Sequence, residues 1–298
     1  MKIGGIWSAV LTPVGSDFAP DVSAAVPYYS ELLRLGCDGI NLLGTTGEAM
    51  SFSAEQRIEF MEAVASSGMA MERTMVGTGA ASAADAARLT RCAFACGFAA
   101  ALVMPPFFFR DASDDGIVRF FDALFSRTNP PRSSVMLYNF PKMSGIAFHA
   151  ELVDRLVREF PDVIAGMKDS SNDARLQAEI LSRNPGLAVL PGSEADLLAA
   201  KSRGAAGCIS GSVALWPELA HEVFATGGEA AGAMLARARA ALDGVRFIPA
   251  VRYVTARLRG DPLWERPLPP LLPLDAPQRR ALDLALEPFA AVLRRSKT

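Results

Sequence analysis

Short apolar runs recur eight times along the first two thirds of the chain: Gly5–Leu11, Gly39–Leu43, Thr74–Gly77, Ala100–Met104, Val135–Asn139, Val163–Met167, Leu187–Leu190 and Gly207–Ser210. Their apolar residues are consecutive rather than alternating. Parallel strands covered on both faces read this way, because neither side of such a strand meets water. The segments between them carry helical spacing, and several have a legible start. Ser53-Ala54-Glu55-Gln56 has the order of a capping box, and Ser82 and Asn172 stand where N-caps belong. Eight strand–helix units in succession predict a (β/α)8 TIM barrel that closes near residue 212.

The remaining chain has a different rhythm. Pro217 to Gly260 is rich in Ala, Leu and Arg at helical spacing, with breaks at Gly227-Gly228 and near Gly244. A proline-rich stretch, Pro262 to Pro273, leads into a last helix starting near Pro277, with a kink expected at Pro288. The pattern therefore divides the chain into a barrel, residues 1–212, and a C-terminal helical region, residues 213–298, packed on it without chemistry of its own.

Composition narrows the function. A barrel of this type uses about 250 residues as one unit, so 298 residues accommodate it. The net charge of −2 gives no electrostatic footprint for nucleic acid or an anionic membrane surface. Met1 to Val14 reads as a first strand rather than a secretory leader, since Gly4, Gly5 and Pro13 bracket its apolar run. Cys92 to Phe109 is eighteen residues without a charge, long enough to raise the question of a membrane helix, but Gly97, Pro105 and Pro106 break it. A cytoplasmic protein is expected. The four cysteines form no CxxC pair and the two histidines stand apart from them, so no metal is expected. Cys92 and Cys96 read as small buried hydrophobes. No dinucleotide fingerprint is present either, which leaves a cofactor-dependent oxidoreductase unsupported and no cofactor expected.

In a barrel of this kind the site forms at the C-terminal ends of the strands. The residues there are Thr12, Gly44 to Glu48, Gly77-Thr78-Gly79, Pro105-Pro106, Tyr138-Asn139, Lys168, Gly192-Ser193 and Ser210. Of the five lysines, Lys2 precedes the first strand, Lys142 lies in a loop, Lys201 on a helix and Lys297 in the tail. Only Lys168 ends a strand. Tyr28, Tyr29 and Tyr253 fall on helices, so Tyr138 is the one tyrosine at this face. A lysine amine attacks a carbonyl as the free base, a form that desolvation favours, and the protonated imine it makes is an electron sink. The matching substrate is a 2-oxo acid. Gly44-Thr45-Thr46-Gly47 is either a tight turn or a cradle for its carboxylate, with two hydroxyls and close backbone approach. Tyr138 is either a core aromatic or a proton carrier. Their joint placement favours the second reading of each.

These residues resemble the dihydrodipicolinate synthase/N-acetylneuraminate lyase family of class I aldolases. The likeness spans essentially the whole chain and is carried by Gly44-Thr45-Thr46-Gly47-Glu48, by Tyr138-Asn139-Phe140-Pro141 with Ser144-Gly145, and by Gly166-Met167-Lys168-Asp169-Ser170. Gly192-Ser193 and Gly207-Cys208-Ile209-Ser210 add to it. The resemblance implies an imine on Lys168, a proton relay through Tyr138 and carboxylate binding at Thr45 and Thr46. It further implies that the Ile209 carbonyl faces the imine, that pyruvate and an aldehyde are the partners, and that the chain assembles as a homotetramer.

Two positions depart from the synthase pattern. Met143 stands where the synthases carry an arginine that grips the second substrate's carboxylate, and the adjacent Lys142 lacks the bidentate fork. Phe107-Phe108-Phe109 stands where they carry a tyrosine that enters a neighbouring subunit's relay; the loop, through Asp114-Asp115-Gly116, reads one residue longer than theirs. The departures favour a relative acting on 2-keto-3-deoxy sugar acids over a dihydrodipicolinate synthase with an altered clamp. A non-catalytic 2-oxo acid sensor is the alternative from another class, and it would need neither an amine nor a relay.

Overall fold

The computed structural model describes residues 3–293, so Lys2 and Lys297 lie outside the described residues. Eight strands form one sheet: β1 (Gly5–Ala9), β2 (Gly39–Leu42), β3 (Thr74–Gly77), β4 (Ala100–Val103), β5 (Val135–Asn139), β6 (Ile164–Asp169), β7 (Ala188–Pro191) and β8 (Gly207–Ser210). Their order is β7-β6-β5-β4-β3-β2-β1-β8, with every paired neighbour parallel. The Ala206 N–H, just ahead of β8, donates to the Val189 carbonyl of β7 and closes the ring. The result is the (β/α)8 barrel that the strand rhythm predicts.

The consecutive apolar residues of each strand serve two cores. Trp7, Met75, Leu102, Met136, Leu190 and Ile209 fill the barrel interior. Their chain neighbours, among them Ile6, Val76, Leu137 and Val189, pack outward against the helices. Filling the interior depends on glycine at chosen points. A Cβ on Gly39 would sit 2.4 Å from the Trp7 ring, so the indole crosses the barrel only where β2 has no side chain. Helix starts follow the sequence reading at Ser53, whose capping box with Gln56 is complete, and at Ser82.

Three details differ. Asn172 is not the N-cap of the helix Ala174–Arg183. Its φ of 61° takes it out of the extended geometry a cap requires, and the next residue, Asp173, accepts from the Arg175 and Leu176 N–H groups instead. Cys92 and Cys96 are half-buried rather than buried, with their sulfurs 3.8 Å apart, and burial pushes the Cys92 thiol up to about 12. Lastly, β6 does not stop before Lys168. It continues through Asp169, because Lys168 and Asp169 stay in register with Tyr138 and Asn139 of β5.

Beyond β8 come the helices Pro217–Thr226, Glu229–Ala240 and Phe247–Arg259, separated near the two predicted glycine breaks. Gly227 and Gly260 take the left-handed φ that ends a helix, at 73° and 65°. The last helix, Ala276–Leu286, starts from an Asp275–Gln278 capping box, and Pro288 falls in the 3-10 turn that follows it. The segment Cys92 to Phe109 divides into a helix end and β4. Among the described residues no helix is long and apolar enough to cross a membrane.

Candidate active site

Lys168 and Tyr138 are direct neighbours across the β5–β6 ladder, so the pleat sends both side chains to the barrel interior. Each is 4% exposed. The Lys168 Nζ lies 4.4 Å from the centre of the Tyr138 ring. Among the described residues no carboxylate pairs with this amine. The next residue, Asp169, faces the other way and is fully engaged. Its Oδ1 accepts from Asn139 Nδ2 at 2.7 Å and the Ser171 N–H at 3.1 Å, and its Oδ2 from Gln177 Nε2 at 2.7 Å and Ser171 Oγ at 2.9 Å. Asn139 in turn accepts from the Phe148 N–H at 3.0 Å. This outward network clamps the ends of β5 and β6 together and sets the inward pair.

The Gly44-Thr45-Thr46-Gly47 loop approaches from β2. Thr45 Oγ1 lies 3.1 Å from the Tyr138 hydroxyl, within hydrogen-bond distance, and either group can donate. Thr46 is buried against Gly211, where a Cβ would stand 2.6 Å from its Oγ1. Leu43 and Glu48, which bracket the loop, are non-glycine residues at φ 48° and 53°. Such left-handed residues cost roughly 1–2 kcal/mol each, so the loop needs outside support. Thr12 Oγ1 donates to the Gly47 carbonyl at 3.0 Å, and Glu48 forms a buried ion pair with Arg252. Glu48 Oε1 accepts from Arg252 Nε at 2.5 Å and its Oε2 from the Leu268 N–H at 2.7 Å, while Arg252 also donates to the Thr12 carbonyl at 2.8 Å. Burial pushes the Glu48 carboxyl up and the Arg252 guanidinium down, and each partner draws the other back toward its charged form.

A cavity of about 950 Å³ opens above these groups, within the size range of small-molecule sites. Thr45, Thr46, Tyr138 and Lys168 line it, as do Gly192, Ser193 and Met143. Met143 stands 49% exposed on the short helix Pro141–Ser144. Gly192 is required by a close approach, since a Cβ there would meet Ser170 Oγ at 2.0 Å. Gly44 and Ile209 lie just outside this lining. Gly44 lines an adjoining, mainly apolar recess of about 350 Å³ that also holds Met104 and Phe107. Ile209 is fully buried in the barrel interior, on β8.

The C-terminal region contributes more than packing. Arg239, Arg246, Phe247, Ile248 and Leu271 all line the cavity, and Arg252 supports the loop beneath it. Sequence reasoning treats this region as inert. The available signal is Arg252 itself, a cation inside the apolar stretch Ile248 to Val254. At β3, buried Arg57 has a similar bracing role, donating to the Gly77 and Gly79 carbonyls at 2.9 and 3.1 Å.

The chain matches the model of the dihydrodipicolinate synthetase family over residues 2–287. An uncharacterized DapA-like lyase of Chloroflexus aurantiacus is 33% identical over 294 residues, spanning 96% of this chain and 97% of the relative. A 4-hydroxy-tetrahydrodipicolinate synthase of a Synechococcus strain is 29% identical, spanning 95% of this chain and 94% of its own. The crystal structure of dihydrodipicolinate synthase from Agrobacterium tumefaciens superposes with a TM-score of 0.91 at 29% identity, covering 98% of this chain and 100% of that one.

Proposed function

Because the chain belongs to the dihydrodipicolinate synthetase family and is a carbon–carbon lyase, we propose that Lys168 forms an imine with a 2-oxo acid. The bond made or broken is then the one beta to the imine carbon, with pyruvate as the ketoacid. The observation that carries this reading is the trio at the strand ends: an amine with no counter-ion among the described residues, 4.4 Å from the ring of a tyrosine whose hydroxyl is 3.1 Å from Thr45.

The chemistry runs as follows. The free amine attacks C2 of the 2-oxo acid, and water leaves as the imine forms. In the cleavage direction the C4 hydroxyl gives up its proton and the C3–C4 bond breaks. Its electron pair moves into the protonated imine, and the aldehyde departs. The resulting enamine is protonated at C3, and water releases pyruvate and restores the amine. Tyr138 carries protons between these oxygens and the amine, with Thr45 as the next hydroxyl in the chain. Thr45 and Thr46 hold the substrate carboxylate.

A 2-keto-3-deoxy sugar acid, or a related 2-oxo acid, is the substrate this reading favours. The competing reading, condensation of pyruvate with aspartate semialdehyde, draws support from the names of relatives such as the Synechococcus synthase. Met143 argues against it, since a thioether on the cavity wall offers a carboxylate no donor. The same proposal includes a cytoplasmic homotetramer. A contact between subunits draws support from Phe108 and Phe109, exposed by 76% and 70% and packed edge to face on each other, and light scattering would measure the assembly.

Borohydride reduction in the presence of pyruvate tests the imine. One peptide, the one containing Lys168, should gain the mass of the reduced adduct, and Lys168→Ala should abolish the gain. A label on Lys142 would overturn the assignment.

A further inference from the structure

The charges on the cavity wall are unbalanced. Four lining residues are basic, Lys142, Lys168, Arg239 and Arg246, and only Asp243 is acidic. Asp243 is already committed, because Arg239 Nη1 donates to its Oδ1 at 2.6 Å. Lys168 serves as the nucleophile. Lys142 and Arg246 thus remain, and neither pairs with a carboxylate among the described residues. Arg246 uses one donor on the Leu272 carbonyl at 3.3 Å, which anchors the side chain and leaves the rest of its fork free. The two cations come from separate elements, Lys142 from the helix Pro141–Ser144 and Arg246 from the N-cap of the helix Phe247–Arg259.

One carboxylate of the substrate is accounted for at Thr45 and Thr46. A keto-deoxy sugar monoacid carries no other anion, so it would leave these two solvent-exposed cations, both lining the cavity, without a matching group on the substrate. We propose that Arg246, together with Lys142, forms a second anion subsite, and that the substrate is a 2-oxo acid with a distal carboxylate. Its class is the keto-deoxy derivative of a sugar diacid rather than of a monoacid. The cavity volume of about 950 Å³ leaves room for such a chain beyond the pyruvyl unit. The subsite also reconciles Met143 with an acidic substrate. The fork that the synthases carry on one loop is supplied here from the C-terminal region, so the distal anion sits in a different place. This inference rests on the imine reading of Lys168.

The test uses two probes of equal length, 2-oxoadipate, which ends in a carboxylate, and 2-oxohexanoate, which ends in a methyl group. The enzyme is treated with borohydride in an equimolar mixture, and the ratio of the two adducts on the Lys168 peptide is read by mass spectrometry. The ratio does not depend on the folded fraction. The diacid adduct should dominate by about tenfold or more, the worth of a charge-assisted hydrogen bond. Arg246→Gln should bring the ratio close to one, Arg246→Lys should keep part of it, and Lys142→Gln should lower it by less. Equal labelling in the parental enzyme would overturn the subsite, as would a ratio unmoved in the Arg246→Gln/Lys142→Gln double variant. If neither probe nor pyruvate labels Lys168, the imine reading falls instead. Calorimetric titration with adipate and hexanoate then reads the subsite alone, and equal affinities would dismiss it.

Discussion

Arg252 reaches across 204 residues of sequence to form a buried ion pair with Glu48, the last residue of the loop that presents Thr45 and Thr46. The guanidinium also donates to the Thr12 carbonyl at the end of the chain segment following β1 and to the Trp264 carbonyl. One side chain therefore fastens the helix Phe247–Arg259 to two loops at the C-terminal face of the barrel. The loop it holds contains two strained residues, and the cavity wall beyond it carries Arg246. Support of the Thr45–Thr46 loop and placement of the outer cavity wall meet at this pair.

Removing either partner leaves the other charged and buried, which typically costs about 3–5 kcal/mol. Arg252→Met and Glu48→Leu should each lower the melting temperature strongly. The Glu48→Leu/Arg252→Met double variant should lose much less than the sum, because no unpaired charge remains. Where the single variants still fold, the concentration of pyruvate needed for half-maximal imine trapping should rise, since the cradle loses its support. Additive losses in the double variant would show that the two residues act independently.

How much of this is legible in the sequence depends on the range of the interaction. The barrel is legible because strands buried on both faces must be apolar at consecutive positions, and the glycine breaks and capping boxes mark local events. Lys168 and Tyr138 stand out because each is the one residue of its type at a strand end. The clamp formed by Asp169, Asn139 and Gln177 is partly legible: Asn139 and Asp169 adjoin the reactive pair, but only the β5–β6 register brings them together, and Gln177 joins them from the helix Ala174–Arg183. Arg252 and Arg246 escape notice because nothing local ties a late helix to a loop near residue 48. The apolar stretch around Arg252 marks it as a cation out of place, but only the folded chain supplies its partner Glu48 and puts the exposed Arg246 on the cavity wall.

The position of Tyr138 makes it a sharp test of proton transfer. Its hydroxyl lies 3.1 Å from Thr45 Oγ1, while its ring lies beside the amine. Tyr138→Phe keeps the ring and its packing and removes only the hydroxyl. Turnover should fall by about 10²–10⁴-fold, the usual worth of a positioned acid or base. Pyruvate affinity should change far less, since the carboxylate cradle is untouched apart from one hydrogen bond. Steady-state kinetics on a keto-deoxy acid, paired with a pyruvate titration, separates the two effects. Near-normal turnover would show that protons travel by another route.

Met143 offers the most direct test of substrate choice. Its side chain is half-exposed on the cavity wall, next to Lys142 and on the helix that follows β5 directly. An arginine at this position could form two parallel charge-assisted hydrogen bonds to a carboxylate, which a thioether cannot. The unaltered enzyme should therefore condense pyruvate with aspartate semialdehyde far more slowly than it cleaves its best keto-deoxy acid. Met143→Arg should raise the aspartate semialdehyde reaction by roughly tenfold or more, from about 1.5–3 kcal/mol of added interaction with a charged group. It should give no comparable gain with aldehydes that lack a carboxylate, because their tails have nothing for the fork to hold. Coupled assays with both aldehydes measure the contrast. Efficient synthase activity in the unaltered enzyme would overturn the keto-deoxy acid reading and leave the imine at Lys168 standing. A gain that extends equally to neutral aldehydes would instead show that Met143 acts through the shape of the cavity and not through the charge missing from it.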